Sequence, residues 1–261
     1  MKAILTKFNR YKDIIWYRTL ADLKSESNRT YLGFIWFLLE PLLQTAILYF
    51  VFGILMGRNK DPDYIPFLLV GMTVWQWIEG SITSGMTGIT TKLHIHNMVA
   101  LPKYLFPIVN ITNNAVKFLF VFTVILSLAN ILGFHANLTY IYLPILLFIS
   151  LLLITGITLP LAILSSRIPD TDALVRALFR LLFFLSGIFF KPEIIPNHLV
   201  DIFYINPIAC MMTAFRSIVV YNVTPSWSIV AYAAIFGIIS TSIGFGICKY
   251  ADKKILKYIH A

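Results

Sequence analysis

A basic, polar stretch stops at Tyr31, and the run from Leu32 to Leu55 that follows is apolar apart from Glu40, Gln44 and Thr45. A hydrocarbon core is about 30 Å thick, and a helix needs roughly 20 apolar residues to cross it. The run meets that requirement, with Glu40 and Pro41 together in its first half. An ionised side chain in lipid is costly, so Glu40 must face protein or water. A chain with such a start folds as a bundle of spanning helices rather than around a single soluble core.

Composition agrees: 58% of residues are hydrophobic and 13% charged, against about 25% charged in soluble domains. Apolar runs predict six spans, at about 32–57, 64–90, 105–133, 139–166, 173–190 and 226–249. The expected fold is an all-α membrane protein. Six transmembrane helices follow an N-terminal amphipathic interfacial helix, and short re-entrant helices lie between spans five and six. The predicted organisation is a cytoplasmic interface helix at 1–31, a membrane domain at 32–249 and a basic tail at 250–261. Residues 1–31 hold no uninterrupted apolar core ahead of a small-residue cleavage site, so the first span is expected to direct its own insertion.

The net charge of +9 is distributed by side. Sixteen of the 21 Lys and Arg residues precede the first span, lie in the 91–104 loop or around the fourth-to-fifth connection, or fall at the carboxyl end. Arg58, Lys60, Lys191 and Arg216 fall on the opposite side, and Lys117 lies within a span. Positive charge collects on the cytoplasmic face, which puts both termini inside. The basic balance therefore reports topology and contact with the bilayer, not nucleic acid.

On a helical wheel the amino-terminal arm places Ile4, Leu5, Phe8, Tyr11, Ile15, Trp16, Leu20 and Leu23 in one half and Lys7, Arg10, Asp13 and Lys24 in the other, with Lys12 and Asp22 interrupting the apolar side. Such a helix lies along a membrane surface or docks a cytosolic partner, and the pattern is compatible with both. The second span turns small and polar from Glu79 onward, a composition suited to close helix approach or a wet cavity. In the third span Asn110, Asn113, Asn114 and Lys117 recur at i, i+3, i+4 and i+7, which puts them on one face. The stripe either lines an aqueous path or acts as interhelical glue with Lys117 reaching the interface. Glu40 is one counter-charge available to Lys117. The stretch Lys191–Trp227, with four prolines, reads as short re-entrant or interfacial helices with a turn near Asn206-Pro207.

Several chemistries are excluded. No phosphate loop of the form G-x-x-x-x-G-K-[ST] occurs, nor H-E-x-x-H, C-x-x-C or G-x-S-x-G. His94 and His96 lack the i, i+4 spacing of a helical metal pair, and Cys210 and Cys248 read as apolar fillers. No acidic pair is placed for general acid–base work, so no catalytic residue and no metal ligand is assigned.

The order of short motifs carries a resemblance. It runs Arg29-x-Tyr31-Leu32-Gly33-x-x-Trp36-x-x-x-x-Pro41-Leu42-Leu43, then Phe52-Gly53, then Phe67-Leu68-Leu69-x-Gly71-x-x-x-Trp75. Leu101-Pro102-Lys103-x-x-Phe106-Pro107 and Asn206-Pro207 to Ala214-Phe215-Arg216 follow. Over nearly its full length the chain resembles the permease subunit of type 2 ATP-binding-cassette exporters, in the branch exporting O-antigen, capsular and teichoic acid polymers. It departs at Glu40, where the pattern expects an uncharged residue, often asparagine.

The resemblance implies a homodimer with two copies of a separate ATPase subunit, on which ATP and Mg²⁺ bind, with no cofactor in this chain. It places the ATPase contact at Lys92, His94, His96, Asn97, Leu101, Pro102 and Lys103, and the outer gate at Asn206, Pro207 and Arg216. It implies a bacterial cytoplasmic (inner) membrane and a polysaccharide linked to a polyprenyl diphosphate. Trp36, Phe37, Trp75 and Trp77 offer rings for sugar faces, while Glu40, Asn110, Asn113, Asn114 and Lys117 offer polar groups to hydroxyls. The tryptophans equally fit an interface belt. Arg18, Lys24 and Arg29 are candidates for the diphosphate head on the inner side, or for orienting the first span. A related exporter of small drugs or lipids would instead need a small apolar cavity. An intramembrane enzyme acting on polyprenyl lipids would need clustered catalytic groups at one membrane face, which the sequence lacks.

Overall fold

A computed structural model of the chain describes residues 2–28, 31–58, 61–91, 102–131 and 137–259, and every regular element among them is helical. Helix α1 (Lys2–Asn28) is the arm. After a turn at Gly33, where φ is +52°, α2 (Ile35–Leu48) continues as a π-helical stretch, Tyr49–Leu55. Then come α3 (Tyr64–Met86), the single turn α4 (Gly88–Thr91), α5 (Leu105–Ile131), α6 (Leu143–Ser165) and α7 (Asp170–Leu185). The chain closes with α8 (Asn197–Tyr204), α9 (Pro207–Val219) and α10 (Trp227–Ile259).

Among the described residues four helices have the length and hydropathy of a membrane span: Ile35–Leu55, Leu105–Leu128, Leu138–Ser165 and Trp227–Ala251. The bent pair α8 and α9 brings the number to five if counted as one broken span. Helices also occupy the two remaining predicted intervals, and both miss the criterion for physical reasons. α3 is central, packed on by α2, α5, α6, α7 and α9, so it tolerates Gln76 and Glu79 because protein rather than lipid surrounds it. α7 has 16 residues, about 24 Å of helix, and stops at a turn where Gly187 takes φ +71°. The fifth interval is therefore shorter than its predicted end at 190. α10 runs through Ile259, so the predicted tail extends the last helix.

α8 and α9 meet at 102°, with the predicted turn at Asn206-Pro207. Asn206 Oδ1 accepts the Ile208 N–H at 3.0 Å, capping α9 behind Pro207. Its amide donates to Ser186 Oγ at 2.9 Å, which ties the corner to the end of α7.

α6 and α10 form the closest helix pair. A Cβ on Gly156 would strike the Ser240 side chain and the Thr241 amide, and one on Gly237 would meet Leu153 N at 3.0 Å. Thr241 Oγ1 donates to Leu152 O at 2.7 Å across the seam. Small residues that admit a neighbouring backbone are the means by which helices associate where lipid removes the hydrophobic drive.

Arg216 of α9 is 3% exposed. It donates from Nε to Phe67 O at 3.1 Å, from Nη1 to Gly187 O at 2.6 Å and from Nη2 to Ile188 O at 2.7 Å. Its guanidinium also lies 3.5 Å over the Phe67 ring. Gly71, one turn along α3, leaves room for it, since a Cβ there would collide with the guanidinium. One side chain thus joins α9, α3 and the turn after α7.

Beside this joint a polar clasp connects two loops. Arg58 and Tyr64 both donate to Phe189 O, at 2.9 and 3.0 Å, and Lys191 pairs with Asp61. The hydrogen bond from Lys191 holds Asp61 below the usual carboxylate range. Burial pulls Lys191 down, but its bonds to Asp61 and Tyr221 outweigh that and leave its pKa raised.

Arg216→Met should leave three buried carbonyls short of a donor and lower stability by about 2–4 kcal/mol, read as a shift in the unfolding midpoint in detergent. Asp61→Asn should cost less than about 1 kcal/mol. That smaller loss should appear only in the pH window between the two titrations: the pair's contribution fades as pH falls through the lowered Asp61 pKa and as it rises through the raised Lys191 pKa.

Candidate functional site

The polar end of α3 stays helical because its hydroxyls bond back to their own helix. Thr83 Oγ1 donates to Glu79 O at 2.7 Å and Ser84 Oγ to Gly80 O at 2.6 Å. This surface faces the stripe on α5. Asn110 Nδ2 donates to Ser84 O at 2.6 Å, and Asn114 Nδ2 to Ser84 Oγ at 2.9 Å. Asn113 and Lys117 turn instead to α1: Asn113 Nδ2 donates to Glu26 Oε1 at 3.2 Å, and Lys117 forms an ion pair with Glu26 Oε2.

Two adjoining cavities result. The first, about 340 Å³, lies between α1, α3 and α5 and is lined by Asp22, Ser25, Glu26, Ser84, Thr87 and the four residues of the stripe. The second, about 100 Å³, lies between α2, α3 and α5 and is lined by Phe37, Glu40, Pro41, Thr73, Gln76 and Trp77 with Asn114, Lys117, Phe118 and Val121. Asn114 and Lys117 belong to both, so the cavities share a wall. Trp77 stacks on Phe118 with centroids 4.1 Å apart, and the Lys117 ammonium lies 4.7 Å from the centre of the Phe37 ring. Asn113 Oδ1, Gln76 Nε2 and Trp77 Nε1 are buried and have no hydrogen-bond partner among the described residues. The lining offers donors, acceptors, charged groups and ring faces to a polar ligand.

The structure thus brings together Phe37, Glu40, Trp77, Asn110, Asn113, Asn114 and Lys117 from the sequence candidates. Of the counter-charges open to Lys117, the ammonium is bound here by Glu26 rather than Glu40, because α1 packs directly on α5 and presents that carboxylate. Trp36 is outside both cavities and half exposed. Trp75 faces the other side of α3, edge-on to Phe179 and Phe183 of α7, with its indole N–H donated to Glu79 Oε2 at 2.6 Å. There it joins Gln44, Arg180 and Phe184 around a third space of about 250 Å³.

Arg18 is exposed and its Nε is 3.2 Å from Asp22 Oδ1, so its charge is partly answered within α1, whereas Lys24 projects into solvent. Arg29, Lys92, His94, His96, Asn97 and Leu101 lie outside the described residues. Pro102 and Lys103 form the half-buried turn that opens α5. Asn206 and Pro207 are at the α8–α9 corner, while Arg216 is sealed in its joint.

Sequence reasoning passed over Asp22, Ser25 and Glu26. The signal was present: Asp22 broke the apolar half of the α1 wheel, and 22, 25 and 26 share a face. That face seats against the α5 stripe, with Thr19 and Leu23 buried beside it, while Trp16, Tyr17 and Leu20 remain exposed.

Residues 15–220 match the ABC-2 type transporter family. The chain is a member of that family. This ABC-2 transporter chain is 26% identical over 248 residues to an O-antigen export system permease protein, RfbA, of Klebsiella pneumoniae, covering 94% of this chain and 95% of the relative. It is 22% identical over 220 residues to the RfbA of Myxococcus xanthus, covering 84% of each. It is 22% identical over 240 residues to the polysialic acid transport protein KpsM of Escherichia coli, covering 91% of this chain and 93% of the relative.

Trp77→Ala should remove a buried stacked ring and cost about 3–5 kcal/mol. Trp36→Ala, at a half-exposed position, should leave the unfolding midpoint in detergent within about 0.5 kcal/mol of the parent.

Proposed function

We propose that this chain is the channel-forming subunit of an ATP-driven exporter that moves a lipid-linked, O-antigen-like polysaccharide across the bacterial cytoplasmic membrane. The observation that carries the reading is the end-to-end match to an O-antigen export permease, 94% of one chain on 95% of the other. The geometry supports it. A helical bundle that keeps asparagines, a glutamate, a lysine and stacked aromatics on adjoining cavities suits a polymer of hydroxyls and flat apolar faces better than an ion.

In this reading the six helical intervals are six spans, α1 lies along the inner surface and both termini are cytoplasmic. Two copies assemble with two ATPase subunits, which bind ATP and Mg²⁺. The segment from Lys92 to Lys103 and the adjoining α1 receive the ATPase, and the α8–α9 corner works as the outer gate. ATP-bound and free states of the partner drive the bundle through their different contacts with it. Lys24 and Arg29 meet the diphosphate head, with Arg18 in a lesser role because Asp22 already answers part of its charge.

A second reading, an exporter of small apolar molecules or lipids, has one observation in its favour. A recess of about 560 Å³ between α6, α7, α8, α9 and α10 is lined almost wholly by Ile, Leu, Phe and Pro, with Asn206 as its one polar member. A lipid-linked polymer also brings an apolar tail, so the recess fits either cargo.

Loss of the gene should abolish long-chain surface polysaccharide while precursors accumulate inside, and the tagged chain should co-purify an ATPase in a two-plus-two complex. Removing residues 1–28 should leave that complex hydrolysing ATP without export. Intact surface glycan in the null strain, together with no ATPase in the purified material, would sink the reading.

A further inference from the structure

Lys117 stands where the two cavities meet, with a carboxylate on either side. On one side is Glu26, two residues before the end of α1. On the other is Glu40, which lines the second cavity with Lys117 and has no ion-pair partner among the described residues. Phe37 and Glu40 are spaced i, i+3 on α2 and share a face, and the ammonium already rests over the Phe37 ring. A lysine carries its charge on a flexible four-carbon stem, so a change of rotamer can carry the ammonium from one carboxylate toward the other.

At its carboxyl end α1 contributes only Thr19 and Leu23 as fully buried side chains. The space beside them is the 340 Å³ polar cavity rather than packed core. Glu26, held by Lys117 and Asn113, is a polar attachment of α1 to the membrane bundle. Asp22 lines the same cavity and is already engaged by Arg18 through Oδ1. The Lys117 side chain is 17% exposed against 40% for Glu26, so loss of Glu26 leaves a largely covered ammonium short of a counter-charge, and the arm separates more readily if another carboxylate takes the charge over.

We propose that Lys117 is an exchangeable tether, bound to Glu26 when α1 is docked and to Glu40 when α1 withdraws. The exchange ties movement of the cytoplasmic arm to the position of the first membrane helix. α2 packs chiefly on α3 and only sparsely on α5. A new Lys117–Glu40 bond would draw it toward α5 and close the second cavity, and redocking of α1 would release it. This rests on the reading of the chain as the membrane half of an ATP-driven exporter, and it assigns the polar stripe a coupling role between arm and path.

The test uses the full complex with its ATPase in membranes, with three readouts: surface polysaccharide, ATP hydrolysis, and hydrogen–deuterium exchange over residues 10–28 with and without trapped nucleotide. Lys117→Gln should loosen the arm, raise its exchange in both states and cut export by about tenfold while hydrolysis continues. Glu26→Lys with Lys117→Glu should restore protection of the arm but not export, because residue 117 now repels Glu40. Adding Glu40→Lys should then restore export. Glu40→Gln alone should keep the arm protected in the nucleotide-trapped state and lower export. Full export in the two-residue swap, or in Glu40→Gln, would overturn the exchange. A parent complex that hydrolyses ATP but never delivers polysaccharide would instead overturn the functional reading on which it rests.

Discussion

A guanidinium sealed from solvent and met only by carbonyls and a ring is the joint on which this bundle depends. Arg216 binds the backbone of Phe67, Gly187 and Ile188, segments separated from it by 149, 29 and 28 residues. No carboxylate pairs with it among the described residues, so its charge is balanced by oriented dipoles and by the face of Phe67. That arrangement requires Gly71 opposite the group and a left-handed Gly187 in the turn. It fixes where α7 ends, how the α8–α9 corner sits and how deeply α9 enters. Because a buried charge tolerates little misalignment, the corner is held in one geometry rather than a family of similar ones.

The polar groove follows a different logic. Here the helices are held by hydrogen bonds from asparagine to serine and by one lysine–glutamate pair, around open space instead of interlocking apolar side chains. Buried polar atoms without partners among the described residues, such as Trp77 Nε1 and Asn113 Oδ1, are tolerated where water or a polar ligand can reach them. The bundle is therefore dry and locked at the Arg216 corner and wet and adjustable along α5.

Much of this was legible in the sequence because it depends on local spacing. The stripe at 110, 113, 114 and 117 obeys the helical period whatever packs against it, and the turn at Asn206-Pro207 follows from proline chemistry. Partners that come from distant segments were not legible. Nothing near Lys117 in sequence points to Glu26, and nothing near Arg216 points to residue 67 or 187. Trp75 and Trp77 show how a finer reading would have helped. Two residues apart on a helix, they project some 200° apart by helix geometry, so they could not line one cavity, and of the two only Trp77 lines a cavity beside α5. Gly187 similarly marked the end of α7 earlier than the apolar run suggested.

The glycine seam between α6 and α10 has a mechanical consequence. Two long helices locked backbone to backbone, with Thr241 bonded across them, cannot slide or splay without breaking many contacts together. They form a stiff stator, and α3 rests against α6. Rotation or tilt is then left to the parts held by side-chain tips, which are the arm and the first membrane helix, so the molecule confines its flexing to one flank.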